Sequence, residues 1–131
     1  MGRFTPTKSA AIGLAQFDEL PELLQKTKRN VEYLRSQLKN TPGITLQETA
    51  AENQASHWTY SILAKDREGL ITKLHAHGIA CQRLHLRNDL YSIFSAHRTT
   101  QRLPGVDRLD AENLSIPCGW WLDGVKSYAS G

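Results

Sequence analysis

The chain lacks the features that mark several large classes of protein. It has only two cysteines, Cys81 and Cys118, and they form neither a C-x-x-C pair nor a disulfide framework. No apolar run approaches the roughly 20 residues that a membrane-spanning helix needs. Residues 1–9 lack the apolar stretch of a secretory leader. We therefore expect a cytoplasmic protein with two buried free thiols and no membrane association.

The motifs of metal sites and of nucleophilic catalysis are also missing. His75 and His77 stand two apart in a predicted helix, so they point in different directions and cannot share a metal ion. The sequence contains no H-E-x-x-H, no Walker loop and no G-x-S-x-G elbow. Cys81 falls in a predicted strand without an activating base nearby, which favours core packing over nucleophilic chemistry. The sequence thus predicts neither a metal site nor a catalytic residue.

The chain carries a moderate number of charged residues of both signs. The 131 residues include 16 Lys and Arg against 13 Asp and Glu. The densest basic run, residues 26–29, lies beside Glu22 and Glu32 in a predicted helix, which favours a solvated helix face over a phosphate-binding patch. A nucleic-acid-binding protein would concentrate the excess on one stripe. We expect no nucleic-acid partner.

The length fits a single domain over residues 1–131, with two helices in residues 1–40 and a sheet, a helix and an irregular C-terminal part in residues 41–131. The first helix, residues 8–17, is apolar all round and should be buried on several sides. The second begins at Pro21 and carries apolar residues at spacings of three and four until residues 40–43 end it.

Beyond the second helix, apolar alternation predicts strands at residues 44–48, 57–64 and 79–86, with a shorter one at 115–117. Asp66 is a suitable N-cap for a helix that Gly78 ends. Residues 87–108 look irregular, with one helical turn near 90–94. A second helical turn is predicted near 110–114. The pattern predicts an α+β fold, a small and mostly antiparallel sheet with helices packed on one face.

Two short segments carry side chains suited to binding. His85 and Arg87 lie where a predicted strand leaves the sheet, and such strand ends often present functional groups. His85 can exchange a proton near neutral pH, and Arg87 can grip an anionic or hydroxylated ligand. The alternative, equally favoured, is a salt-bridged loop in which Arg87 pairs with Asp89 or another nearby acid. For Trp120 and Trp121, packing against both sides of the chain is favoured over a contact with a ligand or partner.

Several sequence blocks, in order and over nearly the whole chain, resemble the C-terminal small domain of DegT/StrS-type pyridoxal-phosphate-dependent sugar aminotransferases. Two blocks, AAIGLAQ and LPELL, resemble the helix that follows the family's cofactor domain. RNDLYSIF and GWWL resemble a subgroup associated with amino-sugar synthesis for surface polysaccharide. The chain departs from the family at residues 1–7 and 123–131. The blocks are residues 10–16, 20–24, 56–62, 77–79, 85–94, 103–110 and 114–122.

The resemblance implies an aspartate-aminotransferase-like fold whose cofactor domain, with its Schiff-base lysine, precedes the part matched by this chain. No cofactor is then expected in this chain, and it should not transaminate alone. The resemblance also implies that His85, Arg87, Asn88 and Tyr91 face a sugar-nucleotide substrate. The expected partners are a second copy in a homodimer or a separate chain carrying the cofactor domain. The alternative is a self-associating or protein-binding module that reuses the fold.

We predict no internal aldimine between pyridoxal phosphate and any lysine of this chain, because the cofactor domain is the part of the family that activates the reacting amine. Borohydride reduction of the mixture followed by peptide mapping should label lysines weakly and without preference for one position. One stoichiometrically labelled lysine, together with transaminase turnover, would contradict the prediction.

Overall fold

The computed structural model describes residues 6–50, 53, 55–98 and 100–122. Within these ranges it has four α-helices, two short 3-10 helices and three strands. Residues 1–5 and 123–131, where the sequence departs from the family pattern, lie outside the described residues. No helix in the described ranges is both long and apolar enough to cross a membrane.

The three strands form one antiparallel sheet in chain order, β1 (Ile44–Leu46), β2 (Thr59–Ala64) and β3 (Asn113–Pro117). The strand β2 is central, because Leu63 pairs with Thr45 of β1 on one side and with Asn113 of β3 on the other. The α+β class predicted from the sequence is confirmed. The strand predicted at residues 44–48 is shorter by two residues, and the one predicted at 57–64 begins at Thr59.

The core forms on one face of this sheet. Tyr60, Ile62 and Ala64 alternate along β2 and are almost fully buried, while the residues between them remain partly exposed. Trp58, which the apolar alternation predicted over residues 57–64 would place on the same face, lies before the strand and is 65% exposed. The remaining buried hydrophobic residues of this core are Val31, Leu34, Cys81, Leu114, Ile116 and Cys118.

Helices α2 (Leu20–Leu38) and α3 (Arg67–Ala76) cover the core face. The buried residues of α2 begin at Thr27 and include Val31 and Leu34. The helix α3 begins as predicted, since the Asp66 carboxylate accepts a hydrogen bond from the Gly69 amide at 3.1 Å. It ends at Ala76, and Gly78 follows the C-cap residue His77 with a φ of +72°, a conformation that glycine adopts without strain.

Asn30 joins α2 to the segment that follows β3. Its side chain is buried, and its amide nitrogen donates to the carbonyl oxygens of Gly119 at 2.9 Å, Leu122 at 3.2 Å and Cys118 at 3.4 Å. A side chain on Gly119 would collide with the ring of Trp121, which lies over this backbone. The segment is therefore held by the hydrogen bonds of Asn30 and contacted by the ring of Trp121.

Both cysteines are free and buried, as predicted. Burial raises the pKa of the Cys81 thiol and raises that of Cys118 to about 11. Because the thiolate is the nucleophilic form, both thiols should be inert in the folded chain. The prediction that Cys81 serves packing is consistent with its place in the core.

The first helix differs from the expectation. The helix α1 (Pro6–Phe17) was expected to be buried on several sides, but every residue from Lys8 to Phe17 is exposed. Ile12 is 62% exposed and Leu14 is 74% exposed. The helix α1 contacts α2, and the first turn of α2 is itself exposed. Its apolar surface therefore has no cover within the described part of this chain.

The segment predicted as a strand at residues 79–86 pairs with the sheet at only one position, a bridge between Gln82 and Ser115. The alternation was real, because Cys81 is buried and Ile79 packs against the core. Such alternation reports which side chains are buried, and it does not fix the number of backbone pairs.

The region predicted to be irregular contains the two 3-10 helices, Asn88–Leu90 and Ser92–His97, and a true α-helix, α4 (Pro104–Glu112). Pro104 begins α4 and Asp107 lies in its first turn, both ordinary features of a helix start. The adjacent Pro104 and Gly105 resemble a turn, which explains why the sequence predicted a helix only near residues 110–114.

We predict that Asn30→Ala lowers the free energy of unfolding by about 1–3 kcal/mol, because the carbonyl oxygens of Cys118, Gly119 and Leu122 lose a buried donor. Urea denaturation followed by tryptophan fluorescence measures this. Gln25→Ala, at an exposed position of the same helix, is the matched control and should change the value by less than about 0.5 kcal/mol. Equal effects of the two substitutions would show that Asn30 does not anchor the C-terminal segment.

Candidate functional site

An open groove lies on the face of the sheet that points away from the core. Thr45 and Leu63 are cross-strand partners, and Asn113 continues the same row on β3. Leu109 of α4 forms a wall of the groove, and Arg108 of the same helix donates to the Thr45 hydroxyl at 3.2 Å. The groove has a volume of about 310 Å³ and is lined by Thr45, Leu46, Gln47, Ser61, Ile62, Leu63, His85, Leu109 and Asn113.

His85 reaches this groove because of the bridge between Gln82 and Ser115. Their two backbone hydrogen bonds, of 3.2 and 2.9 Å, hold the chain beside β3 just before it turns toward α4. Three residues later, the His85 side chain is exposed and lines the groove. Of the four residues predicted to face a substrate, His85 is the one that the structure places here.

Asn113 has an unusual position for a polar side chain. It is only 4% exposed, it lines the groove, and it is the cross-strand partner of Leu63. Ser61 nearby bonds to the Ser115 hydroxyl at 3.3 Å. The sequence analysis did not single out Asn113.

Arg87 is held by two carboxylates. Its Nε and Nη2 donate to the two oxygens of Asp89 at 2.7 and 2.8 Å, and its Nη1 donates to Asp107 of α4. The guanidinium lowers the pKa of Asp89, and the two carboxylates raise the pKa of Arg87. The geometry agrees with the ion-paired alternative drawn from the sequence, and Asp107 is a nearby acid that binds Arg87 together with Asp89.

Asn88 and Tyr91 do not line the groove. They bound the first 3-10 helix, where the Tyr91 amide donates to the Asn88 carbonyl at 3.1 Å, and both side chains are exposed. Arg98 ties the same turn by donating to the carbonyl oxygens of Asp89 and Leu90. The four predicted residues therefore occupy one loop, but only His85 lines the concave surface.

Trp120 and Trp121 are not buried in the core. Trp120 is 49% exposed and Trp121 is 60% exposed, and their rings meet edge to face with centroids 5.9 Å apart.

No group of three or more metal-binding side chains occurs in the described ranges.

Comparison with known proteins identifies the chain's relatives. The model of the DegT/DnrJ/EryC1/StrS aminotransferase family matches residues 5–125. The chain belongs to this family. No curated protein matches the sequence.

Solved structures of family members agree with the assignment. The sugar aminotransferase CalS13 from Micromonospora echinospora is 32% identical, with a TM-score of 0.84 over 92% of this chain and 32% of its own. AtS13 from Actinomadura melliaura is 33% identical, with a TM-score of 0.80 over 86% of this chain and 30% of its own. DesV from S. venezuelae, solved in complex with a ketimine intermediate, shares the fold at 21% identity and a TM-score of 0.83. The chain thus spans about a third of the length of these relatives.

The paired state of Arg87 gives a pH prediction. Because the Asp89 pKa is lowered in the fold, its ion pair contributes stability above the ordinary pKa near 3.9 and loses it as the pH falls through the lowered value. Carboxyl NMR titration should place the Asp89 midpoint below that of Asp89 in an Arg87→Gln variant. Arg102→Gln, which removes an exposed arginine, is the control and should leave the midpoint unchanged. An equal midpoint in native chain and Arg87→Gln would show that the pair does not form in solution.

Proposed function

We propose that this chain is the small domain of a pyridoxal-phosphate-dependent nucleotide-sugar aminotransferase and forms one wall of its substrate site. On this account it acts only with a unit that carries the cofactor, on the same polypeptide or on a separate one, and its product class is an amino sugar for polysaccharide synthesis. The observation that supports this most directly is the family match over residues 5–125, combined with coverage of about a third of each solved relative.

The lysines of the described part support the absence of catalysis by this chain alone. A lysine that forms a Schiff base needs a desolvated or charge-tuned amine. Lys8, Lys28, Lys39, Lys65 and Lys73 are exposed, and none of them lines the groove described above. Lys26 is half-buried and bound to Glu22 at 2.8 Å. None of these environments activates an amine.

The exposed helix α1 supports a docking role. Ile12, Leu14 and Phe17 are each more than 60% exposed, and Leu20 and Leu24 extend the apolar surface onto α2. A contiguous exposed apolar surface commonly marks a contact with another protein unit. We assign this surface to the cofactor-carrying unit, which would cover it.

Self-association is a second candidate, favoured by the same observation. A second copy of the chain can cover α1 as well, and two-fold pairing is the commonest arrangement of identical subunits. Light scattering of the purified chain tests it. A dimer that Leu14→Glu converts to a monomer would favour self-association, because this exposed substitution leaves the core untouched.

A chimera tests the proposed function. The matched third of CalS13 from Micromonospora echinospora would be replaced by this chain, and pyridoxal phosphate absorbance would report whether the cofactor unit is assembled. We expect transamination by the chimera, with His85→Ala lowering kcat/KM by about tenfold through loss of one polar contact.

His97→Ala is the matched control, since His97 is exposed in the second 3-10 helix and does not line the groove. An assembled chimera with bound cofactor and no turnover would contradict the proposed role. Equal effects of the two histidine substitutions would contradict the placement of His85 at the substrate.

A further inference from the structure

The surface formed by α1 and the start of α2 is both apolar and acidic. Residues 9–25 contain Asp18, Glu19 and Glu22 and no lysine or arginine. Lys26 binds Glu22 at 2.8 Å, so Asp18 and Glu19 carry the charge that a partner would meet. The apolar side chains of this acidic apolar surface are each at least 40% exposed, and they are Ile12, Leu14, Phe17, Leu20 and Leu24.

The surface formed by the two 3-10 helices is apolar and basic. Residues 90–106 contain Arg98 and Arg102 and no aspartate or glutamate. Arg98 donates to the carbonyl oxygen of Leu90 at 3.4 Å, which places its guanidinium beside the apolar side chains. The apolar side chains of this basic apolar surface are between 43% and 79% exposed, and they are Leu90, Ile93 and Phe94.

The opposite charges of the two surfaces are not cancelled by their immediate neighbours. Asp89 and Asp107, which border the basic apolar surface, are bound by Arg87. Residues 87–107 hold three arginines against two aspartates, a net charge of +1. Residues 9–26 hold three acids against one lysine, a net charge of −2.

Neither surface is covered within the described part of the chain. Every residue from 8 to 17 and from 91 to 98 is exposed, so the two surfaces do not bury each other in one copy. Two acidic apolar surfaces facing each other would bring six carboxylates into one interface, and like charges across an interface oppose binding. One acidic and one basic surface together bury both apolar sets and bring opposite charges close.

We propose that the acidic apolar surface of one copy of the chain docks on the basic apolar surface of a second copy. Leu14 and Phe17 then pack against Ile93 and Phe94, with Asp18 and Glu19 facing the arginines. A closed dimer makes this contact twice, whereas a ring or an open chain of copies makes it once for each subunit.

This contact goes beyond the proposed function, because it forms between copies of this chain without the cofactor-carrying unit. It uses the same α1 surface that we assign to that unit, so self-association and binding of the unit exclude each other. It also differs from a two-fold pairing of α1 with α1, in which the basic apolar surface has no part.

Two substitutions test the contact from its two sides, by sedimentation velocity of the full chain between about 5 and 500 µM. Leu14→Glu places a charge in the acidic apolar surface, and Ile93→Glu places one in the basic apolar surface. Each variant alone should associate at least about tenfold more weakly than the native chain. Leu14 is 74% exposed and Ile93 is 79% exposed, so neither substitution reaches the core.

An equimolar mixture of the two variants is the decisive sample. The mixture should associate again, because the intact surface of each variant fits the intact surface of the other. Formation of the mixed complex also shows that both variants are folded. Trp58→Glu is the matched control, since Trp58 is 65% exposed and belongs to neither surface, and it should associate like the native chain.

Salt dependence tests the contribution of charge. Raising the sodium chloride concentration from about 0.05 M to about 0.5 M should weaken association of the native chain by about threefold or more, because salt screens exposed charges. Association that salt leaves unchanged or strengthens would contradict the charge pairing.

Three further results would overturn the proposal. The native chain could stay monomeric up to about 500 µM. Ile93→Glu could associate like the native chain, which would show that α1 pairs with itself. The mixture of Leu14→Glu and Ile93→Glu could remain monomeric, which would show that the two surfaces do not meet. None of these results depends on the chimera, so failure here is distinct from failure of the proposed function.

Discussion

The two-sided pairing of β2 is the constraint on which the rest of the structure depends. Its backbone bonds to β1 and β3 at once, and its alternating side chains send Tyr60, Ile62 and Ala64 into the core. Because side chains of a strand point to opposite faces in turn, the same register places Ser61 and Leu63 on the other face. A shift of one residue would expose the core set and bury the groove set.

The two faces of the sheet consequently serve different purposes. The first is closed by α2 and α3 and provides the buried apolar surface that a small domain needs. The second is covered only in part by α4, and its polar side chains border an open groove. The ion pairs of Arg87 and Arg83 with Asp107 and Asp110 connect the loop before α4 to that helix. Stability thus comes mainly from one face, and the chemistry available to a ligand lies on the other.

The sequence predicts the parts of this fold that follow from local rules. The alternation in β2, the spacing of Val31 and Leu34 in α2, and the cap of α3 by Asp66 each depend on neighbouring residues. The exposure of α1 could not be predicted. A helix that is apolar on all sides is expected to be buried, but its sequence does not show whether its own domain or another protein unit buries it. Only part of the candidate site could be predicted, because some of its residues are brought there by long-range pairing. His85 stands at a strand end, but Asn113 acquires its position only through pairing with Leu63, fifty residues earlier in the chain.

Hydrogen exchange of the isolated chain at low micromolar concentration tests most directly the claim that the fold is centred on β2 and leaves α1 outside. The hydrogen-bonded amides of β2 and β3 should exchange slowest, at the rate of global unfolding, because the β2–β3 ladder opens only when the core packed on it comes apart. The amides of α1 should exchange faster than those of α2 by about a hundredfold or more, since that helix has only exposed hydrogen bonds. Protection of α1 equal to that of β2 would contradict the account, because it would make α1 part of the same cooperative core.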